Sequence, residues 1–189
     1  MMNLKKDSKT TKRNIIRNFA IYIVVIVVVL VVVTSLFDIK NKLKSNQIFN
    51  IFIASNTQNE NEFATLIKNQ NDSIKEVNIY SCSIDDTYFS VLFSLHGQLE
   101  ADLIVLPKSI LDEKMMAGFC ELDDDLKSSS IVYENRGLLV HDNNYSNEIL
   151  DNYCTFNEEQ YYLFISLNSC HFGKDDYFAK DVIKNIIYG

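Results

Sequence analysis

The chain has 189 residues and a net formal charge of −7, and it contains one proline and five glycines. The first 37 residues hold six basic residues and one acidic residue, so residues 38–189 alone carry a net charge of −12. This acidic surplus argues against nucleic acid and anionic membrane surfaces as partners, because both would repel it. The glycine-rich sequences that bind dinucleotides and nucleotide phosphates are absent.

Residues 18–37 form an uncharged run of 20 residues, eight of them valine. A helix of that length reaches roughly 30 Å, the thickness of the hydrocarbon core of a bilayer. A buried helix or strand of a soluble core is the alternative, but strands rarely exceed about 10 residues. We therefore expect a transmembrane helix over residues 18–37, with the lipid bilayer as its partner.

The charges on either side of this run predict its orientation. Residues 1–17 hold six basic residues, whereas Lys40, Lys42 and Lys44 follow the run. This bias favours a cytoplasmic N-terminus and an extracytoplasmic C-terminal domain in the cell membrane. The predicted divisions are a basic cytoplasmic tail (1–17), a single-pass transmembrane helix (18–37), a stalk (38–46) and an extracytoplasmic domain (47–189).

A cleavable signal peptide is the rival interpretation of the same run. Its apolar core would be shorter, about 7–15 residues, and would end at small residues. Here the run ends Thr34-Ser35-Leu36-Phe37, and the first cysteine is Cys82, so no lipid-accepting cysteine follows it. The sequence favours an uncleaved signal-anchor.

Strand and helix patterns alternate after residue 46. Apolar runs predict strands over residues 47–55, 75–83 and 101–107. Amphipathic spacing predicts helices over 59–69 and 85–99, and Ser109 is placed to begin a short helix that ends near Gly118. A β-α-β-α-β-α order is typical of parallel strands joined by right-handed crossovers.

The helix over residues 85–99 has one apolar stripe, which we expect to face the core. Asp85 or Asp86 can cap its first turn. The stripe consists of Tyr88, Val91, Leu92, Leu95 and Leu99.

The second half of the domain begins with a turn-rich connection over 119–127 and a predicted hairpin of strands 131–134 and 137–141. Residues 161–167 form another apolar strand, and 175–188 form an amphipathic helix whose apolar residues cover the sheet. The expected fold class is α/β, with one three-layer domain built on a mostly parallel sheet.

Two segments resemble the extracytoplasmic solute-binding proteins of ABC transporters, a periplasmic-binding-protein-like family. The first joins the strand Ala-Asp-Leu-Ile-Val-Leu-Pro at 101–107 to the turn Leu-Asp-Asp-Asp-Leu at 122–126. The second is Tyr-Tyr-Leu-Phe-Ile-Ser-Leu-Asn-Ser at 161–169, followed by the helix over 175–188. The resemblance implies an α/β lobe that binds a solute.

The chain departs from that family in size and in composition. Members of the family have two α/β lobes that close on a ligand, and tryptophans often line their sugar sites. Only about 35 residues lie between Asp125 and Tyr161, too few for a second lobe, and the chain has no tryptophan. We therefore expect a single lobe that acts as a membrane-anchored, non-catalytic binding or interaction module. The alternative is a solute sensor or an accessory subunit of an ABC-type transporter, with a membrane protein and a small-molecule solute as partners.

Ligands of parallel sheets bind at the carboxyl ends of the strands. The polar residues that follow the predicted strands are therefore the candidate ligand-binding residues, and the alternative is that they only cap the following helices. They are Asn56, Thr57, Ser83, Asp85, Asp86, Lys108 and Ser109.

The remaining polar groups indicate no cofactor, metal or catalytic residue. Asp123, Asp124 and Asp125 could bind Ca²⁺ with Glu121, but they lack the ligand spacing of an EF-hand, and a solvated acidic turn is the alternative. The three histidines are scattered, and His171 beside Cys170 is not placed as a nucleophile–base pair. The four cysteines could form disulfides or remain buried thiols.

Overall fold

A computed structural model describes residues 23–24, 26–29, 43–128, 130–158, 160–173 and 176–188. The chain divides into two compact units, residues 1–43 and residues 44–189.

The described structure contradicts the predicted transmembrane helix over residues 18–37. Among the described residues, no helix has both the length and the apolar character needed to cross a bilayer. Of the predicted span, residues 23–24 and 26–29 are helical, and its other residues lie outside the described part of the chain. A span needs about 20 helical residues, so the signal-anchor, the single-pass membrane location and the extracytoplasmic placement derived from it are corrected as well.

Among its described residues, the second unit contains nine strands. They are β1 (Ile48–Ile53), β2 (Asn56–Thr57), β3 (Glu76–Ser81), β4 (Leu103–Pro107), β5 (Val132–Tyr133), β6 (Gly137–Asp142), β7 (Tyr145–Ser146), β8 (Cys154–Thr155) and β9 (Gln160–Ile165).

Helices connect these strands. They are α1 (Glu60–Lys68), α2 (Phe89–Leu92, continued by the π-helix Phe93–Glu100), α3 (Glu113–Met116), α4 (Asp124–Lys127), α5 (Glu148–Tyr153) and α6 (Phe178–Tyr188). Two short 3₁₀ turns, Ser45–Gln47 and Lys108–Ile110, precede β1 and follow β4.

Seven strands form one mixed sheet in the order β3-β1-β4-β9-β6-β5, with β7 added to β6, while β2 and β8 pair separately. Strand β1 is parallel to β3 and to β4. Strand β9 is antiparallel to both of its neighbours, β4 and β6. The α/β class is confirmed, but the predicted mostly parallel sheet is wrong, because β9 enters the middle of the sheet in the opposite direction.

Helices pack on both faces of this sheet because its central strands are apolar on both sides. One face of β1 places Phe49, Ile51 and Ile53 against α1 and α6. The opposite face places Phe52 against the helix over residues 89–100 and against α3. Central strands β4 and β9 are buried along nearly their whole length, as their continuous apolar runs predict.

The helix over residues 89–100 turns a different face to the sheet from the one that the sequence predicts. Its buried residues are Phe93 and Gly97, with Phe89 partly buried beside them. The rings of Phe89 and Phe93 are stacked at 5.7 Å, and the Phe93 ring lies 5.4 Å from that of Phe52. Of the predicted core stripe, Leu92 is partly buried against the core, whereas Tyr88, Val91, Leu95 and Leu99 are exposed. The reason is that aromatic rings and a glycine fit closely against Phe52.

Gly97 permits this close approach because it has no side chain. A Cβ atom at this position would lie 2.4 Å from Cδ2 of Phe93 and 3.4 Å from Cγ of Phe52. The first distance is too short for two carbon atoms, so any side chain at position 97 displaces the Phe93 ring.

We expect Gly97→Ala to lower the free energy of unfolding by about 1–3 kcal/mol, the usual cost of overpacking a core. The intrinsic helix preference of alanine opposes this effect by about 1 kcal/mol. Urea denaturation of the full chain measures the difference. Ser94→Ala, at an exposed position of the same helix, is the control and should stay within about 0.5 kcal/mol of wild type. A Gly97→Ala protein as stable as that control would contradict the proposed packing.

Candidate functional site

The predicted ligand-binding residues lie where β1, β3 and β4 end, at the carboxyl edge of the sheet. Lys108 and Ser109 are exposed there and line a cleft of about 360 Å³ together with Glu158 and Gln160. The Lys108 ammonium lies 6.0 Å from the centre of the Tyr133 ring. This cleft therefore has a cation and a carboxylate among its lining groups.

The other predicted residues do not line this cleft, and three of them support local structure. Asp86 accepts a hydrogen bond from the backbone N–H of Tyr88 at 2.8 Å, just before α2 begins. Thr57 contacts the Glu60 carboxylate, which also accepts a hydrogen bond from the Ser81 hydroxyl at 2.7 Å. The Ser83 hydroxyl accepts from the backbone of Asp85 at 3.4 Å.

Asn56 and Asp85 are the two remaining predicted residues of this edge, and their surroundings differ. Asn56 pairs with Thr155 in the small β2–β8 sheet and is exposed. Asp85 is exposed. Burial raises the pKa of Tyr161, and the charges of Glu158 and Asp85 add to that rise. Sequence reasoning missed Glu158 and Gln160. Glu158 comes just before β9 and Gln160 begins it, so this antiparallel strand reaches the same edge of the sheet by its amino end.

The acidic turn over Asp123–Asp125, considered above as a calcium site, forms ion pairs with helix α6. Lys180 lies 2.6 Å from Asp123 and 3.1 Å from Asp125, and Lys184 lies 2.9 Å from Asp125. Asp123 also caps α4 by accepting from the Leu126 N–H at 3.0 Å. The carboxylates thus have lysine partners and a capping role, as the solvated-turn alternative expects.

These pairs make the stability of the α4–α6 contact depend on pH. Burial opposes ionisation of Asp123, but hydrogen bonds from Lys180 and Leu126 outweigh it and lower the pKa of this carboxyl. The pKa of Asp125 is lowered chiefly by the hydrogen bonds from Lys184 and Lys180. A lowered folded-state pKa stabilises the fold above the unfolded value of about 3.9, and this stabilisation is lost as the pH falls below it.

Lys180→Met should therefore lower the free energy of unfolding at pH 7, and its difference from wild type should shrink as the pH falls below about 4. The Lys180–Asp123 pair is partly exposed, so we expect it to contribute about 0.2–1 kcal/mol. Denaturation at pH 7, 4 and 2.5 measures the change. Lys114→Met, at an exposed lysine outside these pairs, is the control. A difference that persists unchanged in acid would refute the ion-pair explanation.

A second polar cluster lies at the opposite, amino edge of β1 and β4, and the sequence did not predict it. Asp102 is 4% exposed. Its carboxylate accepts hydrogen bonds from the Asn50 N–H at 2.9 Å and from the Ser169 hydroxyl at 2.7 Å. Burial is the largest influence on Asp102 and raises its pKa, while these hydrogen bonds and the nearby His171 oppose that rise.

His171 belongs to the same cluster and is completely buried. Its Nδ1 lies 3.0 Å from the Asp176 carboxylate, and its Nε2 lies 2.9 Å from the backbone carbonyl of Ile48. The ring packs edge-on against Phe49 and Phe178. Both ring nitrogens therefore face groups that only accept hydrogen bonds.

Cys170 is the exposed member of this cluster. Burial and the charges of Asp102 and Asp176 raise the pKa of its thiol. One ligand atom each from Asp102, Cys170 and His171 lies within 4.8 Å of the other two. A cleft of about 510 Å³ opens beside them, lined in part by Ser45, Asn50, Glu100 and the same Asp102 and Cys170.

The third candidate site, after the carboxyl-edge cleft and the amino-edge cluster, is the outer face of the helix over residues 89–100. Four large apolar residues lie on that face at spacings of three and four residues, with Ser94 and Gln98 exposed beside them. Their exposed fractions are 68% for Tyr88, 55% for Val91, 49% for Leu95 and 66% for Leu99. We call these four residues the apolar stripe.

The cysteine thiols and the Ser169 hydroxyl have local surroundings that affect their reactivity. All four cysteines are free, and Cys82 and Cys154 are buried. Burial raises the pKa of Cys154 to about 12 and also raises that of Cys82, which keeps both as unreactive thiols. The Ser169 hydroxyl donates to Asp102 and not to a histidine.

Comparison with protein-family models, curated proteins and solved structures finds no match to this chain. The resemblance to solute-binding proteins thus stays a prediction from the short motifs that suggested it.

Proposed function

We propose that residues 44–189 form a non-catalytic interaction module that binds a protein partner through the apolar stripe. The observation that carries this proposal is the exposure of all four stripe residues by about half or more. The same helix already buries Phe93 and Gly97 against the sheet, so the stripe is not needed for its own core. Contiguous exposed apolar residues on soluble proteins commonly mark interaction surfaces.

The charges around the stripe favour a partner that presents an apolar surface with a basic rim. Exposed Asp85 and Asp86 lie at the beginning of the stripe, and exposed Glu100 lies at its end. Residues 38–189 carry a net charge of −12, so two copies of the domain would repel each other. Complementary charges at the rim steer association and select partners, while the apolar centre supplies most of the affinity.

The double substitution Val91→Ser/Leu95→Ser should weaken partner binding at least tenfold, since central apolar anchors dominate interface energies. A photo-crosslinking residue at position 99 of the full chain identifies the partner in cells. The purified partner is then titrated against wild type and the double variant.

The control is Ile131→Ser, which removes an equally exposed apolar side chain, 62% accessible, away from the stripe. Circular dichroism checks that each variant stays folded. Equal affinity of wild type and the double variant for the purified partner would refute the proposal, as would an assembly made only of copies of this chain.

A second candidate function is the binding of a small zwitterionic solute in the cleft at the carboxyl edge. The specific observation in its favour is that Lys108 and Glu158 line the same cleft with Ser109 and Gln160. A ligand with one carboxylate and one ammonium group, such as an amino acid or a short peptide, matches these opposite charges.

Amino acids and dipeptides should therefore raise the melting temperature of the wild-type chain, because a ligand at 100 times its Kd stabilises by about 2.7 kcal/mol. Lys108→Met should abolish the shift by removing the partner of the ligand carboxylate, whereas Lys114→Met should retain it. Scanning fluorimetry across the panel measures both. An absent shift in wild type, or an identical one in Lys108→Met, would exclude this function.

A further inference from the structure

The cluster at the amino edge of the sheet combines three donor types that bind zinc-class metals. Asp102 offers a carboxylate, Cys170 a thiol and His171 an imidazole, from the beginning of β4 and from the loop after β9. Thiolate and imidazole ligands favour Zn²⁺ over Mg²⁺ or Ca²⁺, which prefer sets of oxygen ligands. We propose that Asp102, Cys170 and His171 bind one zinc-class divalent cation.

The spacing of the donor atoms suits a single ion. Zn–N and Zn–S distances of about 2.0 and 2.3 Å place the ligands of one tetrahedral ion within roughly 4 Å of each other. The three donor atoms already lie within 4.8 Å. Cys170 is exposed, so its side chain can supply the small movement that closes the site.

The charges of the cluster also favour a cation. Asp102 is almost fully buried, and Asp176 lies beside His171. Within the described ranges, neither carboxylate forms an ion pair with a lysine or an arginine. A buried carboxylate is costly unless a cation compensates it.

The hydrogen bonds of His171 lead to the same conclusion. A neutral imidazole has one N–H, yet both ring nitrogens face acceptors, the Asp176 carboxylate and the Ile48 carbonyl. A neutral ring therefore leaves one nitrogen lone pair facing an acceptor oxygen, and this conflict ends only if the ring gains a second proton or a metal ion replaces one of the two contacts. A metal ion at Nε2 would replace the contact with the Ile48 carbonyl and leave the Nδ1–H to donate to Asp176.

Asp176 is placed as a positioning residue for such an ion. Carboxylates that accept a hydrogen bond from a metal-binding histidine fix the tautomer and the orientation of its ring. Asp102 and Cys170 also line the cleft of about 510 Å³, so three protein ligands would leave a fourth position open toward it. Binding releases the thiol proton of Cys170 to solvent, because the thiolate is the ligand.

Cobalt titration of the full chain in reducing buffer tests this proposal, since Co²⁺ replaces Zn²⁺ and its thiolate complexes absorb in the near ultraviolet. We expect one Co²⁺ per chain, a thiolate charge-transfer band and displacement by Zn²⁺. Cys170→Ser should lose the band, whereas Cys120→Ser, which alters another accessible thiol, should keep it. Asp176→Asn should keep the band and weaken affinity roughly 10- to 100-fold, the usual effect of removing such a carboxylate.

Three outcomes would overturn the proposal. The first is the absence of a band in the wild-type chain, in which case a protonated His171 alone supplies the positive charge. The second is a band that survives in Cys170→Ser, and the third is a band that disappears equally in Cys120→Ser. Circular dichroism of the metal-free variants checks their folding, and because Cys170 is exposed its substitution leaves the core unchanged.

Discussion

The architecture depends on the pairing of β9 between β4 and β6. Five residues of β9, Tyr161 to Ile165, are buried. Four of them, Tyr161 to Phe164, form ladder pairs with both neighbouring strands, and Ile165 pairs with β4. Removing this strand would leave the parallel β3-β1-β4 group and the β6 hairpin as separate pieces, each with an exposed apolar edge. Since β9 runs antiparallel, it returns the chain to the amino edge, where Ser169, Cys170 and His171 meet Asp102.

Most of the longer elements could be predicted from the sequence, because their hydrophobic periods are clear, but α5 and the short strands β2, β7 and β8 were not predicted. The predicted helix over 59–69 corresponds to α1 at Glu60–Lys68, and the predicted hairpin corresponds to β5 and β6. The direction of β9 could not be predicted, because an apolar run fully buried on both faces reads the same in a parallel and in an antiparallel strand. That one ambiguity hid the Asp102–His171 cluster.

The helix over residues 89–100 shows a different limit of pattern reasoning. Tyr88, Val91, Leu95 and Leu99 follow helical spacing as well as any core stripe does. A second stripe, Phe89, Phe93 and Gly97, follows the same period one position away, and it faces the sheet because the Phe89 and Phe93 rings pack at a tilt against Phe52. Periodicity counts apolar residues and does not show which stripe fits the sheet, so it assigned the exposed apolar stripe to the core.

The candidate ligand residues divide according to what their neighbours supply. The side chains of Asp86, Thr57 and Ser83 form hydrogen bonds with backbone groups or with Glu60. This agrees with the alternative that these residues support local structure and do not bind a ligand. Lys108 and Ser109 face a cleft whose acidic side comes from Glu158. The strand-end rule located the correct edge for this pair, but half of the cleft belongs to residues that only the antiparallel β9 brings there.

The two edges of the sheet therefore differ in their need for an external partner. At the carboxyl edge Lys108 is exposed and Glu158 is partly exposed. Water therefore hydrates both charged groups in the absence of a ligand. At the amino edge His171 and Asp102 are buried, so water compensates their polar groups less well. A cation at that edge would join Asp102, just before β4, to the loop after β9, so metal binding would stabilise the same strand arrangement on which the whole sheet depends.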